Sequence, residues 1–346
     1  MPRVIESPDQ FIVVGENIHT TRVVRRNGRR TTTLDDGTEA ILYKDEAGNQ
    51  AVMTVPESYK STQPYEQGQI KHFMIAVNKG IGDDPDEQAE GVAYIRAEAL
   101  RQIAAGADFL DLNVDEISYK LDVQKRAMAW LVNTAEEISS VPLSIDSSNS
   151  EIIAAGLAEC DGRAGRPMVN SVALERLDAL DMVKEHDARA IVTAAGADGM
   201  PENAADRVAN VDLLLDAVRA RGVPLTDIYI DGLVFPISVS SAYGMDYLDA
   251  VTELREKYGS EVHIAGGLSN VSFGLPARRL INDTFIYLAI EAGIDSGIVD
   301  PVQSPMDRVF GLDVDSEPVK LAREMLIGND DFCMNFIQAW KDGKLS

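Results

Sequence analysis

Short apolar runs alternate along the chain with longer segments in which apolar residues recur at helical spacing. The runs predict buried strands, because a parallel strand covered on both faces is almost continuously apolar. The segments between them predict amphipathic helices; Val92, Ile95 and Ala99, for example, share one face of a helix that opens at Asp84-Pro85. The predicted strands are 11–15, 108–114, 142–146, 167–171, 188–195, 227–234, 262–265 and 294–299.

Eight strand-and-helix units in strict alternation predict a parallel sheet that closes into a (β/α)8 TIM barrel. The alternation breaks once, at 22–69, where two strands around a turn predict a β-hairpin insertion after the first strand. In the helix that follows the seventh predicted strand, 262–265, Pro276 is expected in the first turn. Two further helices, about 315–327 and 330–342, form a C-terminal extension over 315–346. We therefore expect one domain over 1–346.

The amino-acid composition argues against several classes of binding partner and location. The formal net charge of −24 argues against nucleic acid and anionic membrane surfaces, since both select basic proteins. No apolar run approaches the roughly 18 residues of a membrane helix, and the N-terminus lacks the apolar core of a signal peptide. Cys160 and Cys333 are far apart and in no CxxC pattern. A cytoplasmic protein without a metal site is the expectation.

Carboxylate and amide side chains follow the strands where each strand ends, and in a barrel those ends face one shared mouth. Such residues also cap helices and turns, so any one of them has a structural alternative. Asp111 and Asp231 differ because they lie inside apolar runs, where an unpaired charge is costly. Together the groups suit a flat heterocycle with an amino-pyrimidinone edge. The candidates are Glu16, Asn17, Asp111, Asn113, Asp146, Asn149, Asn170, Asp231, Asn270 and Asp300.

Six segments carry a family resemblance, in the same order as in the family. GENIHTTR, DLNVD, SIDSSN, PMVNS, YIDGLVFPI and GLSNVSFG resemble the pterin-binding methyltransferases, which include methyltetrahydrofolate:corrinoid methyltransferases and the folate domain of cobalamin-dependent methionine synthase. The resemblance implies that Asp111, Asn149 and Asp231 bind the pterin ring, with Asp146 and Asn170 beside them. It also implies that Asn270 lies beside folate N5, which carries the methyl group.

The activity that this resemblance implies is methyl transfer between N5 of methyltetrahydrofolate and the cobalt of a corrinoid. Asn270 and Asp231 are the expected catalytic residues; Asn270 has no acidic proton, so it can orient and stabilise N5–H but cannot protonate it. No cobalamin-binding motif surrounds any of the four histidines, so the corrinoid is expected on a separate protein. The C-terminal segment resembles stand-alone methyltransferases of corrinoid-dependent demethylation, and a homodimer is expected by analogy.

Several alternatives stay open at this point. The insertion brings Arg22, Arg25 and Arg26 into an acidic chain, either as a solvated loop or as contacts to the folate tail or an acidic partner. His19 is either structural or functional. Dihydropteroate synthase shares the barrel but has cations after strand seven, where this chain has Gly-Leu-Ser-Asn. A non-catalytic docking subunit is a further possibility, although the ring of Asp and Asn side chains argues against it.

Overall fold

The computed structural model describes residues 3–345. In chain order, the strands are β1 (Ile12–His19), β2 (Val23–Arg25), β3 (Thr31–Thr33), β4 (Glu39–Lys44), β5 (Gln50–Thr54), β6 (Gln69–Lys71), β7 (Phe109–Asn113), β8 (Leu143–Asp146), β9 (Met168–Val172), β10 (Arg189–Thr193), β11 (Ile228–Asp231), β12 (His263–Ala265) and β13 (Ser296–Val299). The helices are α1 (Gln63–Glu66), α2 (His72–Gly80), α3 (Pro85–Ala104), α4 (Leu121–Glu136), α5 (Ser150–Leu157), α6 (Ala179–Glu185), α7 (Ala204–Arg221), α8 (Tyr243–Tyr258), α9 (Arg278–Ala292), α10 (Met306–Phe310), α11 (Glu317–Leu326) and α12 (Met334–Lys341).

Eight parallel strands form the main sheet, in the order β12-β11-β10-β9-β8-β7-β1-β13. The strands at the two ends of this order are hydrogen-bonded to each other: Ile298 N donates to Gly266 O at 2.9 Å, and Asp295 N donates to Ile264 O. Buried Val, Ile and Leu side chains fill these strands, as expected for strands covered on both faces. The predicted (β/α)8 barrel is confirmed.

The chain divides into two compact units: Gly15–Asn170, and the described residues before and after that range. In the first, a Cβ atom at Gly80 would lie 1.9 Å from the ring of Trp130, so α2 and α4 can pack closely only around glycine. In the second, a Cβ atom at Gly244 in α8 would lie 2.0 Å from the carbonyl oxygen of Leu326. The single domain over 1–346 stays a prediction.

The predicted hairpin is present as β4 and β5, which pair antiparallel with Leu42 opposite Val52. β3 extends it to three strands, and a second small ladder joins β2 to β6. The prediction of two strands in 22–69 missed β2 and β3, and its range ended where β6 begins. The insertion is anchored to α2 and α3 by buried Lys79, whose Nζ donates to Thr54 Oγ1 at 2.8 Å and to Glu90 at 2.7 Å.

Several elements differ from the sequence predictions. β1 continues to His19, so Glu16 and Asn17 lie within the strand and the prediction that they follow its end is wrong. α9 begins at Arg278 because Ala277 has a left-handed backbone with φ of 52°, so the placement of Pro276 in the first helical turn is wrong. Helix α2 was not predicted, since its nine residues are mostly buried and lack the polar face that reveals a helix by periodicity. Both C-terminal helices are present as α11 and α12. Among the described helices, none has the length and hydropathy that a bilayer crossing requires.

Candidate functional site

Asp111 lies in the middle of β7 and is 3% exposed. Asn170 of β9 donates from Nδ2 to Asp111 Oδ1 at 3.1 Å. Burial raises the pKa of Asp111 to about 6, and the nearby Glu16 carboxylate raises it further, while the Asn170 amide and Arg22 oppose the shift. At neutral pH the group is therefore mostly ionised and acts as a buried acceptor that has already been stripped of bulk water.

A second pair joins the ends of β7 and β8. Asn113 Nδ2 donates to Asp146 Oδ2 at 2.9 Å, and Asn113 Oδ1 accepts the N–H of Asp115 at 3.0 Å. The Nε2 atom of His19, at the end of β1, lies 3.9 Å from the same Asp146 oxygen. The structure thus brings Asn113, Asp146 and His19 together at one end of three strands.

Asp115 is a residue that the sequence reasoning missed. Its carboxylate accepts from the Oγ of Ser147 and from both N and Oγ of Ser148, at 2.9 and 2.8 Å. These bonds join the loop after β7 to the loop after β8. The segment DLNVD contains a signal for it, because a second Asp follows the strand by two residues.

Three other candidates in Gly15–Asn170 have structural partners. Asn149 caps α5, with Oδ1 accepting from Glu151 N at 2.8 Å, so the capping alternative applies to this oxygen. Asn17 donates its backbone N–H to Gln102 Oε1 at 3.1 Å. Glu16 forms an ion pair with Arg22 at 2.7 Å.

Asp231 ends β11 and is 8% exposed. Its Oδ1 accepts the N–H of Leu233 at 2.8 Å, across a turn in which Leu233 has φ of 60°. Burial raises the pKa of Asp231 to about 6, and the N–H groups of Leu233 and Gly267 and the charge of Arg207 moderate the increase. Like Asp111, it is a buried acceptor held at a strand end.

Arg207 is the second residue that the sequence reasoning missed. It lies in α7 and is fully buried, although an arginine in an amphipathic helix pattern is expected on the polar face. Its Nε donates to Gly232 O at 2.8 Å and its Nη2 donates to Leu233 O at 3.2 Å. These bonds fix the backbone that follows Asp231, and the positive charge favours the ionised carboxylate.

Asn270 lies in a 3-10 turn, Leu268–Ser272, directly after β12. A Cβ atom at Gly267 would lie 3.0 Å from Asn270 Nδ2, so glycine at 267 leaves room for the amide. The Asn270 side chain is half-buried and, among residues 3–345, has no hydrogen-bond partner. The turn itself is held by Arg278, which donates to Ser269 O at 3.0 Å and to Ser272 Oγ at 2.9 Å.

The arginines of the insertion are largely committed to ion pairs within the chain. Besides the Arg22–Glu16 pair, Arg26 Nε lies 3.0 Å from Glu39 Oε1, and its guanidinium stacks on Tyr65 at 4.0 Å. Arg25 is exposed at the end of β2.

Asp300 caps its own loop, with Oδ1 accepting from Val302 N and Gln303 N at 3.0 Å. In the described part of the chain, no group of three or more His, Cys, Asp and Glu side chains is arranged to hold a metal ion.

By sequence, the chain matches a protein family and individual relatives. Residues 86–300 match the family described as pterin binding enzyme. The methylcorrinoid:tetrahydrofolate methyltransferase of Eubacterium limosum is 29% identical over 284 residues, which cover 80% of this chain and 96% of that protein. The methionine synthase of Mycobacterium tuberculosis is 31% identical over 227 residues, covering 61% of this chain but only 18% of that longer protein.

Among solved structures, a dihydropteroate synthase from Stenotrophomonas maltophilia with imidazole bound in its active site has a TM-score of 0.51 and 21% sequence identity. That match covers 65% of this chain and 86% of the synthase. It supports the fold. The family match spans most of the barrel, from α3 to the end of β13, and contains Asp111, Asp231 and Asn270. The chain belongs to the family of pterin-binding enzymes.

Proposed function

We propose that this protein moves a methyl group between N5 of tetrahydrofolate and the cobalt of a corrinoid. The observation that carries the proposal is the similarity to the methylcorrinoid:tetrahydrofolate methyltransferase of Eubacterium limosum, which is 29% identical over a match that covers 96% of that protein and 80% of this chain. In line with it, the turn after β12 carries an uncharged, half-buried amide at Asn270. A demethylation pathway that ends on tetrahydrofolate is the proposed setting.

The buried carboxylates are proposed to bind the pterin ring. Asp111 and Asp231 are both mostly ionised above pH 6, and a carboxylate accepts the N–H groups of an amino-pyrimidinone edge. Because the fold has already removed them from water, little further desolvation opposes ligand binding. The proposed pterin site also includes Glu16, Asn17, Asn113, Asp146, Asn149 and Asn170.

Asn270 is proposed to act on the transition state. Breaking the bond between N5 and the methyl group requires that N5 gain a proton or a strong hydrogen bond, and assistance of this kind is typically worth 10²–10⁴-fold. A carboxamide cannot supply the proton, so Asn270 would orient N5 and stabilise the charge that changes there, with the proton coming from solvent or a carboxyl group. Asp231 is proposed as its catalytic partner.

The corrinoid is proposed to arrive on a separate corrinoid-binding protein. The match covers 96% of the Eubacterium limosum methyltransferase and 80% of this chain, and no cobalamin-binding motif surrounds any of the four histidines. Tetrahydrofolate and its 5-methyl form are the folate substrates. A homodimer in the cytoplasm remains the expectation from the sequence.

Anaerobic incubation of the protein with 5-methyltetrahydrofolate and Co(I) cobalamin tests this function. Formation of methylcobalamin, followed by its absorbance, is the expected result. Condensation of p-aminobenzoate with a pterin pyrophosphate, with release of pyrophosphate, would instead indicate a dihydropteroate synthase activity. Folate binding without either reaction, even with a corrinoid protein present, would favour a non-catalytic docking subunit.

A further inference from the structure

His19 ends β1 beside Asp146, and the atoms around its ring determine which of the two nitrogens carries the hydrogen. The Nδ1 atom accepts the backbone N–H of Thr21 at 3.1 Å, and Thr21 Oγ1 lies 2.7 Å from the same nitrogen. A nitrogen that accepts a backbone N–H carries no hydrogen of its own. The neutral ring therefore bears its hydrogen on Nε2.

The charge state of His19 is fixed as well. Burial lowers the pKa of His19 to about 4, and the positive charge of Arg22 lowers it further, while Asp115 and Glu116 oppose the change. The imidazole is consequently neutral throughout the physiological range, and it acts neither as a cation nor as a general acid. What it offers is a single, oriented N–H donor.

This donor faces an acceptor without reaching it. Nε2 lies 3.9 Å from Asp146 Oδ2, beyond hydrogen-bond distance, and among the described residues it has no hydrogen-bond partner. Asp146 Oδ2 is itself held by Asn113 Nδ2 at 2.9 Å. Both side chains are about a quarter exposed, at 26% and 25%. A donor and an acceptor are thus fixed side by side at a partly open position.

We propose that the Nε2–H of His19 and the carboxylate of Asp146 form a paired donor and acceptor that binds the folate substrate at a ring edge presenting one acceptor and one N–H. This inference rests on the proposed function and adds a residue to it. His19 is then a substrate-binding residue that fixes the orientation of the ring, and Thr21 is the positioning residue that selects the tautomer.

Two substitutions of His19 test the role of Nε2 and the role of Nδ1 separately. In His19→Gln the side-chain amide can place an N–H where Nε2 lies, whereas in His19→Asn the shorter side chain can accept from Thr21 as Nδ1 does but cannot reach the Nε2 position. Affinity for 5-methyltetrahydrofolate, measured by calorimetry, should change less than about threefold in His19→Gln. It should weaken roughly tenfold in His19→Asn, the loss typical of one hydrogen bond.

Thermal unfolding of the same variants provides the control, because a purely structural role for His19 gives the opposite order. His19→Asn keeps the Thr21 contact and should then retain both stability and affinity, while His19→Gln should lose both. That result, or equal losses of affinity in the two variants, would overturn the inference while wild-type folate binding upholds the proposed function. Absence of folate binding by the wild-type protein would overturn both.

Discussion

Replacing Asp231 by asparagine should make the free protein more stable while weakening folate binding. The pKa of Asp231 is raised from 3.8 to about 6, chiefly by burial. At 1.36 kcal/mol per pKa unit, this difference corresponds to about 3 kcal/mol that the folded state loses by keeping the carboxylate ionised. The asparagine Oδ1 can still accept from Leu233 N, but its NH₂ group cannot accept from Gly267 N, which costs about 1 kcal/mol. The net gain is on the order of 2 kcal/mol.

The stability difference between Asp231→Asn and the wild-type protein should increase with pH. Above pH 6 the carboxylate is ionised in both states and the folded protein bears the whole cost; below pH 3.8 it is protonated in both states and the cost disappears. Denaturant unfolding should therefore find the variant more stable at pH 7.5, with the advantage reduced by about 1.4 kcal/mol at pH 5. A variant that is less stable at pH 7.5, or an advantage that does not change with pH, would refute this reasoning.

Asp295 provides a matched control in the same compact unit. Burial works against its ionisation, yet the hydrogen bond with His263 and the charge of Arg255 lower its pKa. Its carboxylate stabilises the fold at neutral pH, so Asp295→Asn should lower the free energy of unfolding at pH 7.5. The two substitutions remove the same charge, and the environment alone sets the direction of each effect.

Three further predictions concern other parts of the molecule. The Kd for 5-methyltetrahydrofolate should rise as pH falls through about 6, because protonation of Asp111 and Asp231 removes two acceptors, and a Kd unchanged between pH 7.5 and 5 would argue against their binding role. Reversing two exposed charges, Arg25→Glu with Arg29→Glu, should weaken the binding of triglutamyl folate or of the corrinoid protein severalfold. Methyl transfer from monoglutamyl folate to free cobalamin should not change, and unchanged kinetics with every substrate would contradict a role of these arginines in binding. Gly244→Ala should lower the free energy of unfolding by about 2 kcal/mol or more, because its Cβ would meet the Leu326 carbonyl, whereas exposed Asp249→Ala in the same helix should change it little.

The barrel could be predicted because its signal is repeated eight times, so that an error in one element leaves the alternation intact. The burial of Asp111 and Asp231 could also be predicted, because both residues lie inside apolar runs. Helix capping does not explain a carboxylate at such a position. Arg207 could not be found in this way, because helical periodicity assigns an arginine to the outer face. Its burial depends on carbonyl groups 25 and 26 residues later in the chain.

The insertion illustrates a second limit. The hairpin of β4 and β5 is local, and its turn residues identify it, but β2 pairs with β6 across more than 40 intervening residues. Three-residue strands bury too little apolar surface to leave a periodic pattern. The sequence shows only the charge of the nearby arginines, whereas the fold brings Arg22 and Arg26 close to their carboxylate partners, Glu16 and Glu39.

We propose that Asn270 acts on the transition state of methyl transfer from folate. Anaerobic single-turnover transfer from 5-methyltetrahydrofolate to Co(I) cobalamin, with folate affinity measured on the same samples, tests it most directly. We expect Asn270→Ala to lower the transfer rate at saturating folate by about 10²-fold or more, with a much smaller change in Kd. Equal loss of rate and affinity would contradict this role, and an unchanged rate would contradict the proposed site.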